Sequence, residues 1–241
     1  MMIDEQQPIV AFTLARYPLR YCVANLAHMG FDRWPLLRAP GLSFWRLLGV
    51  GQGRVFNPHA DLQRFALFTV WQSFAALRQF EQRGAVMRRI RSLSEEMWTV
   101  YMRPVRWHGS WGGRDPFRGI APVALDEQSP HIILTRATIR PTRLAAFLRA
   151  VPAVAEELLQ HDALINSVGV GEMPLLRQAT LSIWRSLPTM TEFAYGSQAH
   201  REVVRRTRSE RWYSEELFAR FRPLASIGTW DGINPLPELA P

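Results

Sequence analysis

The chain repeats itself, and that constrains its fold more than any other feature. Phe65-Ala66-Leu67-Phe68-Thr69-Val70-Trp71 in the first half answers to Ala179-Thr180-Leu181-Ser182-Ile183-Trp184 in the second. Both are apolar, rich in β-branched and aromatic residues, and end on tryptophan. Gly49-Val50-Gly51 precedes the first and Gly169-Val170-Gly171 the second. Ser94-Glu95-Glu96 and Ser214-Glu215-Glu216 follow, then Arg103-Pro104 and Arg222-Pro223. Each series closes on Gly109-Ser110-Trp111 or Gly228-Thr229-Trp230. Matches that keep one order mark an internal repeat, so whatever unit the first half forms, the second half forms too.

The unit mixes strands and helices. Residues 9–15 and 131–139 are apolar and β-branched enough to open each half as a strand. Over 142–160, Leu144, Phe147, Leu148, Val151, Ala155, Leu158 and Leu159 recur at helical spacing, and Pro152 is expected to split or kink that helix. Residues 74–80 and 191–195 begin further helices, and each half ends on a short strand. Each half thus reads strand, helix, strand, helix, strand, and a strand–helix–strand–strand–helix–strand or similar unit is ferredoxin-like. The expected fold is therefore α+β. Two fused ferredoxin-like halves, 8–112 and 129–232, joined by a linker 113–128, make a dimeric-α+β-barrel-like architecture as a single globular unit. Such a barrel offers a central apolar cavity, or an apolar cleft between sheet and helices, to a ligand. The tail 234–241, with three prolines, reads as extended or mobile.

Composition removes whole classes of chemistry. A single cysteine, Cys22, excludes a disulfide framework and a Cys-rich zinc site. All 29 basic residues are arginine, so a lysine Schiff base and a phosphate-loop lysine are both excluded. Gly49-Val50-Gly51-Gln52-Gly53 has the wrong spacing for a dinucleotide turn, and neither Gly-x-Ser-x-Gly nor His-Glu-x-x-His occurs. No apolar run approaches the roughly 20 residues of a membrane span. Residues 1–7 do not read as a signal peptide, and the expected location is cytoplasmic. The net charge of +8 suits an anionic partner. No nucleic-acid motif accompanies it, so nucleic acid is not expected. Arg88, Arg89, Arg91, Arg205, Arg206 and Arg208 lie on predicted helices and are the candidates for peripheral contact with a membrane surface.

His28, His59, His108, His131, His161 and His200 form no metal-spaced pair. His200 stands apart. On a helix it shares a face with Val203, Val204 and Thr207, while Arg201, Arg205 and Arg208 occupy the other side. Counting back from the closing tryptophans places Glu81 at the equivalent point of the first half, so a histidine stands in one half alone. It is either a core histidine bonded to backbone or an axial ligand to haem iron, which needs one imidazole facing an apolar slot. Phe193-Ala194-Tyr195-Gly196, just before it, would line a pocket beside it.

Three stretches together resemble a known family. They are Phe44-Trp45-Arg46-Leu47-Leu48-Gly49-Val50-Gly51, then Ala66-Leu67-Phe68-Thr69-Val70-Trp71, and then Phe193-Ala194-Tyr195-Gly196 with Ala199-His200, Thr207, Trp212-Tyr213-Ser214-Glu215-Glu216-Leu217-Phe218 and Gly228-Thr229-Trp230. The sequence looks like the spheroidene monooxygenases, carotenoid oxygenases of purple photosynthetic bacteria. The resemblance implies a haem-dependent monooxygenase that introduces a keto group into an acyclic carotenoid such as spheroidene. It also implies haem b as cofactor, O2 as co-substrate and an external electron donor, for instance a ferredoxin. His200 is then the iron ligand, with Tyr195 and Val204 beside the haem and Arg201 and Arg205 near its propionates. His131 and His108 are the fallback ligands, and no other catalytic residue is singled out. The alternative is a cofactor-free α+β-barrel oxygenase, or a binding protein for an apolar ligand, in which His200 belongs to the core.

Overall fold

The computed structural model describes residues 3–55, 57–173 and 175–240. The first half runs β1 (Ile9–Arg16), α1 (Cys22–Phe31), α2 (Arg33–Leu37), β2 (Leu42–Gly51), β3 (Ala60–Trp71), α3 (Phe74–Arg83), α4 (Ala85–Leu93) and β4 (Glu96–Gly109). The second runs β5 (His131–Ile139), α5 (Leu144–Gln160), β6 (Leu164–Met173), β7 (Arg177–Trp184), α6 (Leu187–Gly196), α7 (Gln198–Ser209) and β8 (Tyr213–Gly228). The strands are antiparallel and close into one barrel in the order β1-β3-β2-β6-β7-β5-β8-β4.

Two seams join the halves. At one, the glycine motifs meet: Gly49 pairs with Gly171 and Val50 with Val170. At the other, β4 and β8 pair from Trp98↔Gly228 to Gly109↔Leu217. These closing strands are 14 and 16 residues long, not the short strands expected, and their length makes the second seam. Pro152 neither splits nor ends α5. It lies on the exposed side, where water can satisfy the carbonyl it releases.

Alternation along each strand sends one set of side chains inward. Val10, Phe12, Phe44, Phe68, Trp98, Val100, Leu134, Leu181, Ala219 and Phe221 fill the barrel. The central apolar cavity expected from the sequence is therefore occupied by the protein's own side chains. The opposite faces of the strands are covered by helices, α1 to α4 over the first half and α5 to α7 over the second.

The segments that follow β4 and β8 close the barrel, and they are built alike. Trp111, Phe117 and Ile120 pack into the core after β4; Trp230, Leu236 and Leu239 do so after β8. Asp115 Oδ1 accepts the Phe117 N–H at 2.9 Å, and Asn234 Oδ1 accepts the Leu236 N–H at 3.0 Å. Each plug is anchored by a carboxylate of the other half. Glu215 Oε1 accepts from the Ser110 hydroxyl (2.8 Å) and the Gly113 N–H (2.7 Å). Glu96 Oε1 accepts from the Thr229 hydroxyl (2.9 Å) and the Gly232 N–H (2.7 Å). Residues 113–128 are thus more than a linker, since Phe117 has 0 % exposure. The tail is not mobile through Leu236, which is likewise 0 % exposed. A short Asx turn aims one large apolar side chain into the barrel mouth, and burying it outweighs the freedom expected of a Gly/Pro-rich stretch.

Candidate functional site

Beneath α5 and α6 lies an apolar layer on the outer face of the second-half sheet. Ile133 of β5, Trp184 of β7 and Phe218 of β8 form its floor. Leu187, Met190 and Phe193 of α6 and Leu158 of α5 cover it. A chain of rings runs through it: His161 to Trp184 (5.4 Å), Trp184 to Phe193 (5.4 Å) and Phe193 to His200 (5.4 Å).

His200 sits at the edge of this layer, half-buried. Ser197 caps α7, its hydroxyl accepting the His200 N–H at 2.9 Å. The ring turns back over α6, where its Nδ1–H donates to the Ala194 carbonyl at 2.9 Å. A carbonyl can only accept, so the proton stays on Nδ1 and Nε2 carries the lone pair. No described residue bonds Nε2. An imidazole held this way is prepared as a metal ligand, since a carbonyl on the far nitrogen fixes both tautomer and ring orientation. Among the described residues no group of three or more His, Cys, Asp or Glu could hold a metal ion; a haem iron needs one ligand from the protein.

The other sequence candidates fall into place around it. Val203 and Val204 continue the face of α7 toward the sheet, Val203 packing with Phe147 and Trp212. Arg201 reaches back along the same turn and donates to the Tyr195 carbonyl at 2.6 Å. Tyr195 itself is exposed at the end of α6. Arg205 does not approach His200: it points to solvent in an ion pair with Glu202 at 2.6 Å. Glu81 is not the counterpart of His200. Both residues at the third position of their helices, Met87 in α4 and His200 in α7, occupy the equivalent place. The count from the tryptophans fails because His200 lies 30 residues before Trp230 and Met87 only 24 before Trp111. α7, with 12 residues against 9 in α4, supplies three of the extra six, and the stretch from the end of α7 to Trp230 supplies the rest.

His131 shows the same tautomer, its Nδ1–H donating to the Ser129 carbonyl at 2.8 Å. Its Nε2 is buried with no partner, and burial foremost pushes its pKa down, with Arg220 and Arg222 adding to the effect. It is therefore a neutral histidine enclosed by protein. His108 lies exposed on β4 with its ring stacked on Phe218 at 5.5 Å.

No family model matches the chain. Among solved structures, an aldoxime dehydratase superposes on all of the chain with a TM-score of 0.61 at 12% identity, over 90% of its own length. A second aldoxime dehydratase, in complex with butyraldoxime, gives 0.55 at 12% identity, covering 92% of this chain and 81% of its own. The molecule is thus an α+β barrel protein of the same fold, and that likeness speaks to fold alone. Sequence relatives are more informative. The spheroidene monooxygenase of Rhodobacter capsulatus is 35% identical over 213 residues, 88% of each chain. That of Cereibacter sphaeroides is 32% identical over 88% of this chain and 65% of its own, and that of Rubrivivax gelatinosus 33% over 82% and 75%. The chain belongs to the spheroidene monooxygenase family.

Proposed function

We propose that the protein is a haem-dependent monooxygenase that oxygenates the end of an acyclic carotenoid, giving a ketone, with electrons from an external donor such as a ferredoxin. The observation that carries this reading is His200: a half-buried imidazole at the edge of an apolar layer, its proton committed to the Ala194 carbonyl and its Nε2 without a partner among the described residues. His200 would hold the haem b iron through Nε2, and when bound the haem supplies the activation of O2. The protein's own work is positioning. Ala194 keeps the tautomer, and Phe193 packs on the ring at 5.4 Å and limits its rotation. Trp184, Met190 and Phe218 belong to the apolar layer at whose edge, beside the His200 ring, a flat macrocycle and a polyene would lie shielded from water.

The test is spectroscopic. The full chain purified with haem supplied should show a Soret band; His200→Ala should lose or shift it, while His131→Ala should leave it unchanged. An unshifted band in His200→Ala at full haem occupancy contradicts the assignment. A wild-type protein that takes up no haem leaves the cofactor-free readings.

The same reading includes fused ferredoxin-like halves as the ancestral unit. The alike plugs support it and extend the repeat to residues 120 and 239. It also includes contact with a bilayer, because the substrate is insoluble in water. Of the six arginines expected to make that contact, five are engaged within the protein, Arg88 through the Arg83 carbonyl. Arg89 pairs with Asp32, Arg206 with Glu210 and Arg205 with Glu202, and Arg91 donates to the Glu81 carbonyl. A different surface fits better. Leu19, Val23, Leu26, Phe31, Trp34 and Leu37, along α1 and α2 and just before them, are all exposed, Val23 at 82 %. Arg20, Arg33 and Arg38 rim them, and Arg38 lies 3.6 Å over the Trp34 ring. The one carboxylate of the segment, Asp32, is buried against Arg89. An apolar face rimmed by cations alone complements an anionic bilayer. Val23→Asp with Phe31→Asp should abolish co-sedimentation with phosphatidylglycerol vesicles. Unchanged sedimentation, or a dimer that the variant converts to monomer, would refute the bilayer as the occupant.

A further inference from the structure

The outer face of the β4–β8 seam carries four arginines side by side. The register pairs Arg103 with Arg222 and Arg106 with Arg220 across the two strands. Their neighbours settle which way they point. Met102 and Phe221 enter the barrel, so Arg103 and the two arginines flanking Phe221 point out. Trp107 also packs on the barrel core, and Arg106 precedes it. Directly opposed residues in such a ladder have Cβ atoms about 5 Å apart. Four guanidinium stems are therefore gathered on one patch.

None of the four makes an ion pair or a side-chain hydrogen bond among the described residues. The Nε atoms of Arg103 and Arg220 are fully buried without a partner. Burial, then the charge of Arg106, pushes the Arg220 pKa down. Elsewhere in the molecule buried arginines are neutralised: Arg136 meets Glu172 and Glu215, and Arg46 meets Glu172 at 2.7 Å. Like charges held together at a half-buried site with no counter-ion cost stability, and an anionic ligand would offset that cost. Asp126 is the carboxylate whose charge reaches the neighbouring His131, and it pairs with none of the four.

The surroundings describe the rest of the ligand. In the next pair along the seam His108 is stacked on Phe218, and Phe218 is part of the apolar layer beneath α6. Tyr195, at the end of α6 and before His200 in the chain, lies near enough for its hydroxyl to act on the Arg220 charge. An anionic patch-binder with an apolar, flat body would run from the arginines past Phe218 toward the edge of the layer where His200 sits.

We propose that Arg103, Arg106, Arg220 and Arg222 form a binding site for a pair of carboxylates on a flat apolar ligand. Resting on the functional reading above, these are the propionates of the haem that His200 ligates, in place of a role for Arg205. Guanidinium groups suit this because each can hold a carboxylate through two parallel N–H donors.

The test is a titration of haem-free full chain with haem, followed by absorbance. Arg220→Met with Arg222→Met should weaken haem roughly tenfold or more, the loss expected for removing a charged hydrogen bond, with the Soret position unchanged because His200 remains. Haem dimethyl ester should bind wild type as weakly as haem binds the variant. The unliganded variant should melt at a higher temperature than wild type, since like-charge repulsion is removed; a merely structural role would lower it. Arg103→Gln with Arg106→Gln repeats the test from the other strand should the first variant not fold. Equal affinity of variant and wild type for haem, or of wild type for haem and its ester, overturns the site while leaving the haem reading intact. Should wild type bind no haem, that reading falls and pyrophosphate decides the site. A rise in melting temperature in wild type that the variants lose sustains it, and no rise overturns it.

Discussion

At the scale of single residues, the side chains that matter most are held by a small number of directional contacts. Glu215 is the clearest. Burial pushes its pKa up, but the Gly113 N–H, the Ser110 hydroxyl and Arg136 outweigh burial and bring it down to about 2. A carboxylate depressed in the folded state stabilises above its unfolded pKa, and that contribution is lost as pH falls through the folded value. From the ordinary carboxylate value down to about 2, Glu215 should forfeit on the order of 3 kcal/mol. Chemical denaturation of wild type and Glu215→Gln as a function of pH checks this: the gap between them should be widest above pH 5 and close toward pH 2. A gap that does not change with pH would show that Glu215 acts through shape alone. The sequence displayed Glu215 only as one half of a repeated motif. Its anchoring role is invisible there because its partners lie about a hundred residues away, in the other half. His200 was more legible, since helix periodicity alone selects its face. The Ala194 carbonyl that sets its tautomer is a product of the break between α6 and α7. The arginines of the β4–β8 seam form no charge run, so the sequence does not single them out. The signal it does carry is Arg103 and Arg222, each before a proline at matching positions of the repeat, with Arg106 following the one and Arg220 preceding the other.

At the scale of elements, most strands are legible in the sequence and the segments that close the barrel are not. Runs of apolar and β-branched residues mark β1, β3, β5 and β7, and the repeat marks the ends of β4 and β8, while β2 and β6 show only through the paired glycine motifs they contain. Glycine and proline made residues 113–128 and the tail look like spacers. In the structure those same residues form the turns that aim Phe117 and Leu236 into the barrel. Phe117→Ala should cost about 3–5 kcal/mol and Leu236→Ala about 2–5 kcal/mol, as for large core truncations. Differential scanning calorimetry of each would measure it, and melting curves like wild type would show that the plugs are dispensable. The strand ends impose a further demand. Gly109 and Gly228 have φ of +94° and +83°, and a Cβ at either would collide with the carbonyl of Glu216 or Met97 on the opposing strand. Alanine at either should cost at least about 2 kcal/mol, the left-handed strain plus the displaced strand. Equal stability of Gly228→Ala and wild type would contradict that geometry.

At the scale of the whole molecule, one barrel carries two helical layers with different tasks. The first-half layer presents the exposed apolar face of α1 and α2. The second-half layer carries His200 and the ring chain under α6, and it borders the arginines of the seam, two from β4 and two from β8. The two helical layers differ at one equivalent position: a histidine, His200, stands in α7 where Met87 packs in α4. A monooxygenase acting on an acyclic carotenoid must place oxygen from O2 in its product. Mass spectrometry decides this on the product formed from spheroidene under 18O2, with haem, a reducing ferredoxin system and wild-type protein or His200→Ala. The expected result is a carotenoid product carrying label from 18O2 with wild type and none with His200→Ala. A product labelled from H2 18O alone, formed without O2, would make the chemistry a hydration and contradict it.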